Sequence, residues 1–252
     1  MEFGLITETI YIRQNAGLGD ILYLQKVASH LLNFGHKIIW PVIEQYEYIK
    51  DYIQKPNLSF VSLTSLTDFE KNLYKSNIVV KNDSFIYIPI DILCHAMGNC
   101  SRVMESKYDF FEMNHKNWQD FVSPMRNIER EEKLRIFLSL EKDEPFVFVN
   151  KLFASPPDLI EVDYKIDTEY RVIENRKEYI NLFRTFDFSW ILENAKEIHT
   201  IETSFCYLVE CLNTTDKLYM YPRMLNKNNP QYLNYNYISG VYRKKWNYMM
   251  VE

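Results

Sequence analysis

Thr9-Ile10-Tyr11-Ile12-Arg13, then Asn15-Ala16-Gly17-Leu18-Gly19-Asp20, then Lys37-Ile38-Ile39-Trp40-Pro41-Val42 decide how the first part of this chain folds. The first run is rich in β-branched and aromatic residues and reads as a strand. The second carries two glycines, which allow a tight turn and a close approach of backbone to a ligand. Leu24, Val27, Ala28 and Leu31 then recur at i, i+3, i+4 and i+7, the apolar stripe of an amphipathic helix. Residues 33–35 end that helix with a glycine, and the third run is a second strand. Residues 10–42 therefore read as a strand–helix–strand unit with parallel strands and a right-handed crossover.

The same alternation continues outward. A helical stretch covers residues 44–53, with strands near 58–63 and 85–90. Residues 94–125 carry Phe110, Phe111, Trp118 and Phe121 without a period, and read as loop plus helix. Residues 127–140 form a charged amphipathic helix. Its apolar positions Ile128, Leu134, Ile136, Phe137 and Leu140 leave an exposed face that could bridge two domains. After the break at Lys142-Asp143-Glu144-Pro145, the run Phe146-Val147-Phe148-Val149-Asn150 opens a new buried strand. Strands follow near 160–166 and 170–173, and then a helix over 188–195 capped by Asp187 or Ser189. The pattern closes with a strand at 197–201, a helix at 204–212 and a strand at 218–221. Strands alternating with helices imply parallel sheets. The expectation is an α/β chain of two Rossmann-like domains, residues 1–140 and 141–252.

Composition excludes several classes. With 252 residues, 47% hydrophobic and 15% aromatic, the chain can build a sizeable core and is not disordered. A net charge of −5 carries no basic excess, so nucleic acid is not an expected partner. The N-terminus lacks a signal-peptide pattern and no run approaches a membrane span, so the expected location is the cytoplasm, with four reduced cysteines. Tyr242-Arg243-Lys244-Lys245-Trp246 mixes cations with aromatics. It reads either as a solvated tail or as a segment making weak peripheral membrane contact. Cys94, His95 and Cys100 lack a second pair of ligands at zinc-finger spacing, and no metal is expected.

The turn over residues 15–20 bears most directly on chemistry. Its Gly17-x-Gly19 lacks the third glycine of a dinucleotide fingerprint, since position 22 is Leu22, and no P-loop is present. Asp20, just after the turn, would repel a phosphate. It can cap the helix, or it can take a proton from a hydroxyl.

Residues 15–22, Asn-Ala-Gly-Leu-Gly-Asp-Ile-Leu, followed by an amphipathic helix and a second strand, resemble the N-terminal motif of the heptosyltransferase-like GT-B glycosyltransferases. The resemblance implies a small GT-B fold, with Asn15, Gly17 and Gly19 in an acceptor-side loop and Asp20 as the catalytic base. Residues 190–205 are similar to the donor-domain segment of the same family, in which a helix leads through a strand and a short turn into a second helix. That turn usually carries Asp, then Ser or Thr, then Gly; here it is Glu202-Thr203-Ser204. The resemblance implies that Glu202, Thr203 and Ser204 meet the donor phosphates, while on local grounds Thr203 and Ser204 equally cap the helix. Lys151 falls near the family's phosphate-binding cation. Arg223 follows a strand end, where ligands sit in open α/β sheets. His199, inside a strand, reads as structural.

The implied function is sugar transfer from a nucleotide-sugar co-substrate to a carbohydrate or glycolipid acceptor, without a resident cofactor. No two Asp are separated by a single residue, so metal independence is expected. The alternative is a non-catalytic nucleotide or sugar-phosphate binding protein of the same fold.

Overall fold

The computed structural model describes residues 8–14, 17–96, 103–155, 158–223 and 240–249. The chain forms two compact units, residues 1–125 and 126–252, each carrying a five-stranded sheet.

The first unit runs β1 (Thr9–Ile12), α1 (Leu18–Tyr23), α2 (Gln25–Asn33), β2 (Lys37–Val42), α3 (Ile49–Tyr52), β3 (Leu58–Ser62), α4 (Asp68–Leu73), β4 (Val80–Lys81), β5 (Phe85–Ile88), α5 (Ile90–Ala96) and α6 (Val103–Asp109). The strands lie in the order β3-β2-β1-β5-β4. β1 is parallel to both β2 and β5, and β2 is parallel to β3. The short β4 is antiparallel. The apolar stripe of α2 is buried as expected, with Val27, Ala28 and Leu31 fully covered. Gly35, at φ 85, ends the helix by donating to Leu32 O at 2.9 Å.

The stretch without a period turns out to be core. Tyr108 of α6 and Trp118, in a 3-10 turn, are fully buried and meet Tyr23 of α1 edge-on at 4.9 and 5.5 Å. Each such pair adds about 0.5–1.5 kcal/mol beyond its area. These contacts span most of the unit, so no local pattern announces them.

The second unit runs α7 (Ile128–Phe137), β6 (Phe146–Asn150), β7 (Leu152–Ser155), β8 (Asp158–Glu161), β9 (Arg171–Asn175), α8 (Ser189–Asn194), β10 (Glu197–Ile201), α9 (Ser204–Cys211), β11 (Leu218–Tyr221) and β12 (Trp246–Tyr248). Its order is β12-β11-β10-β6-β9, parallel throughout. β6 is buried along its whole length and serves two cores. Phe148 packs on Phe188 and Phe205 at 5.8 and 5.2 Å. Val147 and Val149 instead join Phe153, Val162, Tyr164, Ile201 and Tyr221. The second cluster is roofed by the β7–β8 hairpin and the segment after it, in place of the strand expected over 160–166.

Several other expectations are corrected. The boundary expected at 140/141 lies beyond α7, whose ion pairs belong to the second unit. Glu131 of α7 is buried beside Arg126, which also holds Glu193 at 2.5 Å, while Ile128, Ile136 and Phe137 are exposed. Of its apolar positions Leu134 is fully buried, so that side chain and the ion pairs together fasten this helix. Asp187 does not cap α8. It is fully buried, bonded to Arg130 at 2.7 Å, and accepts from Arg184 N in the preceding 3-10 turn. The 242–246 segment is no solvated tail: Tyr242 and Trp246 are buried. Glu210 of α9 accepts from Arg243 N at 2.7 Å, Lys244 N at 3.1 Å and Trp246 Nε1 at 2.9 Å. That carboxylate pins the segment so that β12 extends the sheet. The aromatics on which a membrane contact would rest therefore face inward.

Candidate functional site

In the first unit the strand order reverses at β1, with β2 and β3 on one side and β5 and β4 on the other. Open α/β sheets bind ligands outside the carboxyl ends of strands at such a switch point. Arg13, leaving β1, pairs with Asp91 of α5 at 2.7 Å and donates to Tyr74 O and Ser76 O, tying the two strand ends together. Burial pulls against its charge, but the Asp91 carboxylate outweighs that and raises its pKa. Gln14 follows, buried, with its carbonyl accepting from the Trp40 indole at 2.9 Å.

The glycine turn places Asp20 in the first turn of α1, where a carboxylate complements the exposed N–H groups. It is not the cap. The N-cap is Gly17, with no side-chain cap bond. Gly17 has φ +83, and a Cβ there would lie 2.2 Å from Asp20 Oδ2. The second reason for this glycine is therefore room for the Asp20 carboxylate. Gly17→Ala is expected to cost about 1–2 kcal/mol through the positive φ and to displace that carboxylate. An unchanged urea midpoint would refute this account of the turn. Gly19 is buried inside α1, and Asn15 lies outside the described residues.

Asp20 has a partner that local sequence does not announce. Lys107 of α6, 87 residues away, bonds to Asp20 Oδ1 and donates to Gln14 Oε1 at 2.9 Å. The lysine side chain is 4% exposed and the aspartate 29%. The cation is thus interior while the carboxylate reaches solvent.

In the second unit the order reverses between β6 and β10, so Lys151 and the Glu202-Thr203-Ser204 turn flank the switch point. Thr203 is the N-cap of α9, accepting from Phe205 N at 3.3 Å. The turn is fixed from below by Asn150, a fully buried amide that sequence reasoning overlooked. Its Nδ2 donates to Thr200 Oγ1 at 3.1 Å and Thr203 Oγ1 at 3.3 Å, and its Oδ1 accepts from Asn175 at 2.9 Å. A polar residue ending an all-apolar strand was the signal. Ser204 is half-buried at the first position of the helix.

The two cations differ in placement. Arg223 joins the turn, donating to Glu202 O at 2.5 Å and pairing with its carboxylate at 3.1 Å, with Phe153 under its guanidinium. Burial opposes its charge, but Glu202 together with Tyr207, Tyr242 and Cys206 outweighs that, so its pKa rises. Lys151 turns to Glu174 at 3.5 Å and lies over Tyr164. His199 is structural. Its ring bonds Tyr221 Oη at 3.0 Å and Glu197 at 3.2 Å, and burial lowers its pKa despite that carboxylate. Among the described residues no group of three or more His, Cys, Asp or Glu could hold a metal ion. The side chains of Cys94 and His95, and Cys100 altogether, lie outside the described residues.

No family model matches the chain, and no curated protein matches it in sequence. In structure it is similar to the glycosyl transferase family 9 protein from Veillonella parvula DSM 2008, with TM-score 0.56 at 9% identity, over 97% of this chain and 86% of that one. It also matches the E. coli heptosyltransferase WaaC with ADP, with TM-score 0.49 at 12% identity, over 95% of this chain and 92% of that one. The likeness to the first of these shows the fold, an α/β architecture with mainly parallel sheets.

Proposed function

We propose that this protein is a glycosyltransferase, moving a sugar from a nucleotide-sugar donor to a carbohydrate or glycolipid acceptor, with the acceptor on the first unit and the donor on the second. The observation that carries the reading is Asp20: a carboxylate just past the switch-point strand, held from inside by Lys107 and open to solvent, on the fold of a family 9 glycosyl transferase. In the reaction the acceptor hydroxyl gives its proton to Asp20 and its oxygen bonds to the anomeric carbon of the donor. The bond from that carbon to the diphosphate breaks, and the nucleoside diphosphate leaves with the electron pair. The start of α9, with Thr203 and Ser204, offers N–H and hydroxyl donors to that diphosphate, and Arg223 and Lys151 are the cations at hand. The nucleotide sugar is a co-substrate, and no resident cofactor takes part. The same reading puts the protein in the cytoplasm; no described helix is long and apolar enough to cross a membrane.

A thermal-shift panel of nucleoside diphosphates and nucleotide sugars tests the proposal. A true ligand at 100 times its Kd adds roughly 2.7 kcal/mol of stability; a panel with no shift sinks the reading. With the ligand in hand, Thr203→Ala combined with Ser204→Ala is expected to weaken nucleoside-diphosphate binding about tenfold in calorimetry, the effect of about 1.4 kcal/mol of lost hydrogen bonding. Untouched affinity would move the donor site elsewhere. Transfer is also expected to persist in excess chelator, because helix N–H groups and cations take the place of an ion on the leaving diphosphate. Activity lost with chelator and restored by magnesium or manganese would reverse that expectation.

One observation favours the second reading, a non-catalytic nucleotide or sugar-phosphate binder. Glu202 puts a carboxylate at the turn and occupies Arg223. Binding without donor breakdown in the presence of any acceptor would decide for it.

A further inference from the structure

We infer that Lys107 is the positioning residue for the proposed base, holding one oxygen of Asp20 so that the other is presented to the acceptor hydroxyl. The inference rests on the glycosyltransferase reading and adds to it a residue that no local motif marks.

Consecutive residues of α6 fix its register on α1. Lys107 bonds Asp20, and Tyr108 donates its hydroxyl to Tyr23 O while its ring meets that of Tyr23 edge-on. The ammonium is thereby set between α1 and the end of β1, where Gln14 Oε1 accepts from it at 2.9 Å. Gln14 is itself anchored through the Trp40 indole. A lysine side chain 4% exposed has given up nearly all its water, and a buried ion pair is seldom kept for stability alone, since apolar residues of similar volume serve as well. The pair is also lopsided, because the carboxylate still reaches solvent. Oδ1 is taken by Lys107 and Oδ2 lies over the bare Cα of Gly17. Such an arrangement leaves one rotamer for Asp20 and one oxygen for chemistry. Positioning of this kind is worth about 10²-fold in rate when a reacting group is misplaced by an ångström.

The test is a double-variant cycle on the full chain. It uses the nucleotide sugar that the ligand panel identifies and reads release of its nucleoside diphosphate in the presence of acceptor. Lys107→Met keeps the apolar stem and leaves Asp20 at the surface, where water can serve it. It is expected to lower kcat about 10²-fold, with the Kd for nucleoside diphosphate unchanged. In an Asp20→Asn background the same substitution is expected to change kcat no further, because the group it positions can no longer accept a proton. Losses that multiply across the cycle, or a Lys107→Met enzyme with full kcat, overturn the positioning role while leaving the glycosyltransferase reading intact. A wild-type chain that releases no nucleoside diphosphate, or an Asp20→Asn variant as active as the wild type, overturns the reading itself and this inference with it. If Lys107→Met does not fold, Lys107→Arg replaces it. That variant keeps the charge but not its reach, and the same pattern is expected: a lower kcat, donor affinity intact, and no further loss with Asp20→Asn.

Discussion

Asp20→Asn is expected to lower sugar transfer by about 10²- to 10⁴-fold, the range for losing a general base, without changing donor affinity. Asparagine has the same shape, and its carbonyl oxygen can still accept from Lys107, so the turn stays in place. What goes is the capacity to take a proton. The substitution also leaves the interior ammonium of Lys107 without a counter-charge, and a buried charge that loses its partner destabilises the fold. The melting midpoint should therefore fall too, and rates belong at a temperature where both forms are folded. A variant with full turnover and unchanged substrate binding would remove Asp20 from the mechanism.

The largest expected effect on stability comes from Asp187→Ala. Asp187 is fully buried, accepts from Arg130 Nε and Nη2 at 2.9 and 2.7 Å through one oxygen, and accepts from Arg184 N at 2.7 Å through the same atom. Alanine removes the partner of a guanidinium and leaves a backbone N–H of the 3-10 turn without its acceptor. Breaking such a pair costs about 3–5 kcal/mol. The lower end applies because the Arg130 side chain, 36% exposed, can turn to water. Urea denaturation followed by a probe in the second unit, such as Trp190 fluorescence, should show a loss of about 3 kcal/mol. A change below about 1 kcal/mol would mean that α7 is held by buried Leu134 and by Arg126 with Glu131 and Glu193, with no need of Asp187.

The parts of this fold legible in the sequence are those written in short-range patterns. The apolar runs at 38–42, 146–149 and 218–221 are strands because strands buried on both faces need apolar residues at nearly every position. The helix through Val27, Ala28 and Leu31 is written in its period. The β7–β8 hairpin carries apolar residues at 152–153 and 159–160 that equally suit a longer strand. The candidate site divides in the same way. Gly17, Asp20, Thr203 and Arg223 stand at turns and strand ends, where residue type alone is informative. Lys107 and Asn150 act through partners 87 and 53 positions away, and no spacing rule reaches that far. Glu131 and Glu210 mislead outright, since charged helix residues are assigned to solvent by default and these two are interior.

The seating of β12 has a consequence for how the second unit closes. β11 ends at Tyr221 and its outer neighbour begins only at Trp246. Until that distant segment docks, one row of β11 amides and carbonyls is unclaimed. An open strand edge of this kind invites pairing with the same edge on another chain. Glu210 stands on a helix that precedes β11, and its carboxylate can seize the backbone of Arg243 and Lys244 and so bring β12 to that edge. Chains truncated shortly before Trp246, or carrying Glu210→Ala, would leave the edge open and form the aggregating fraction of a refolding experiment.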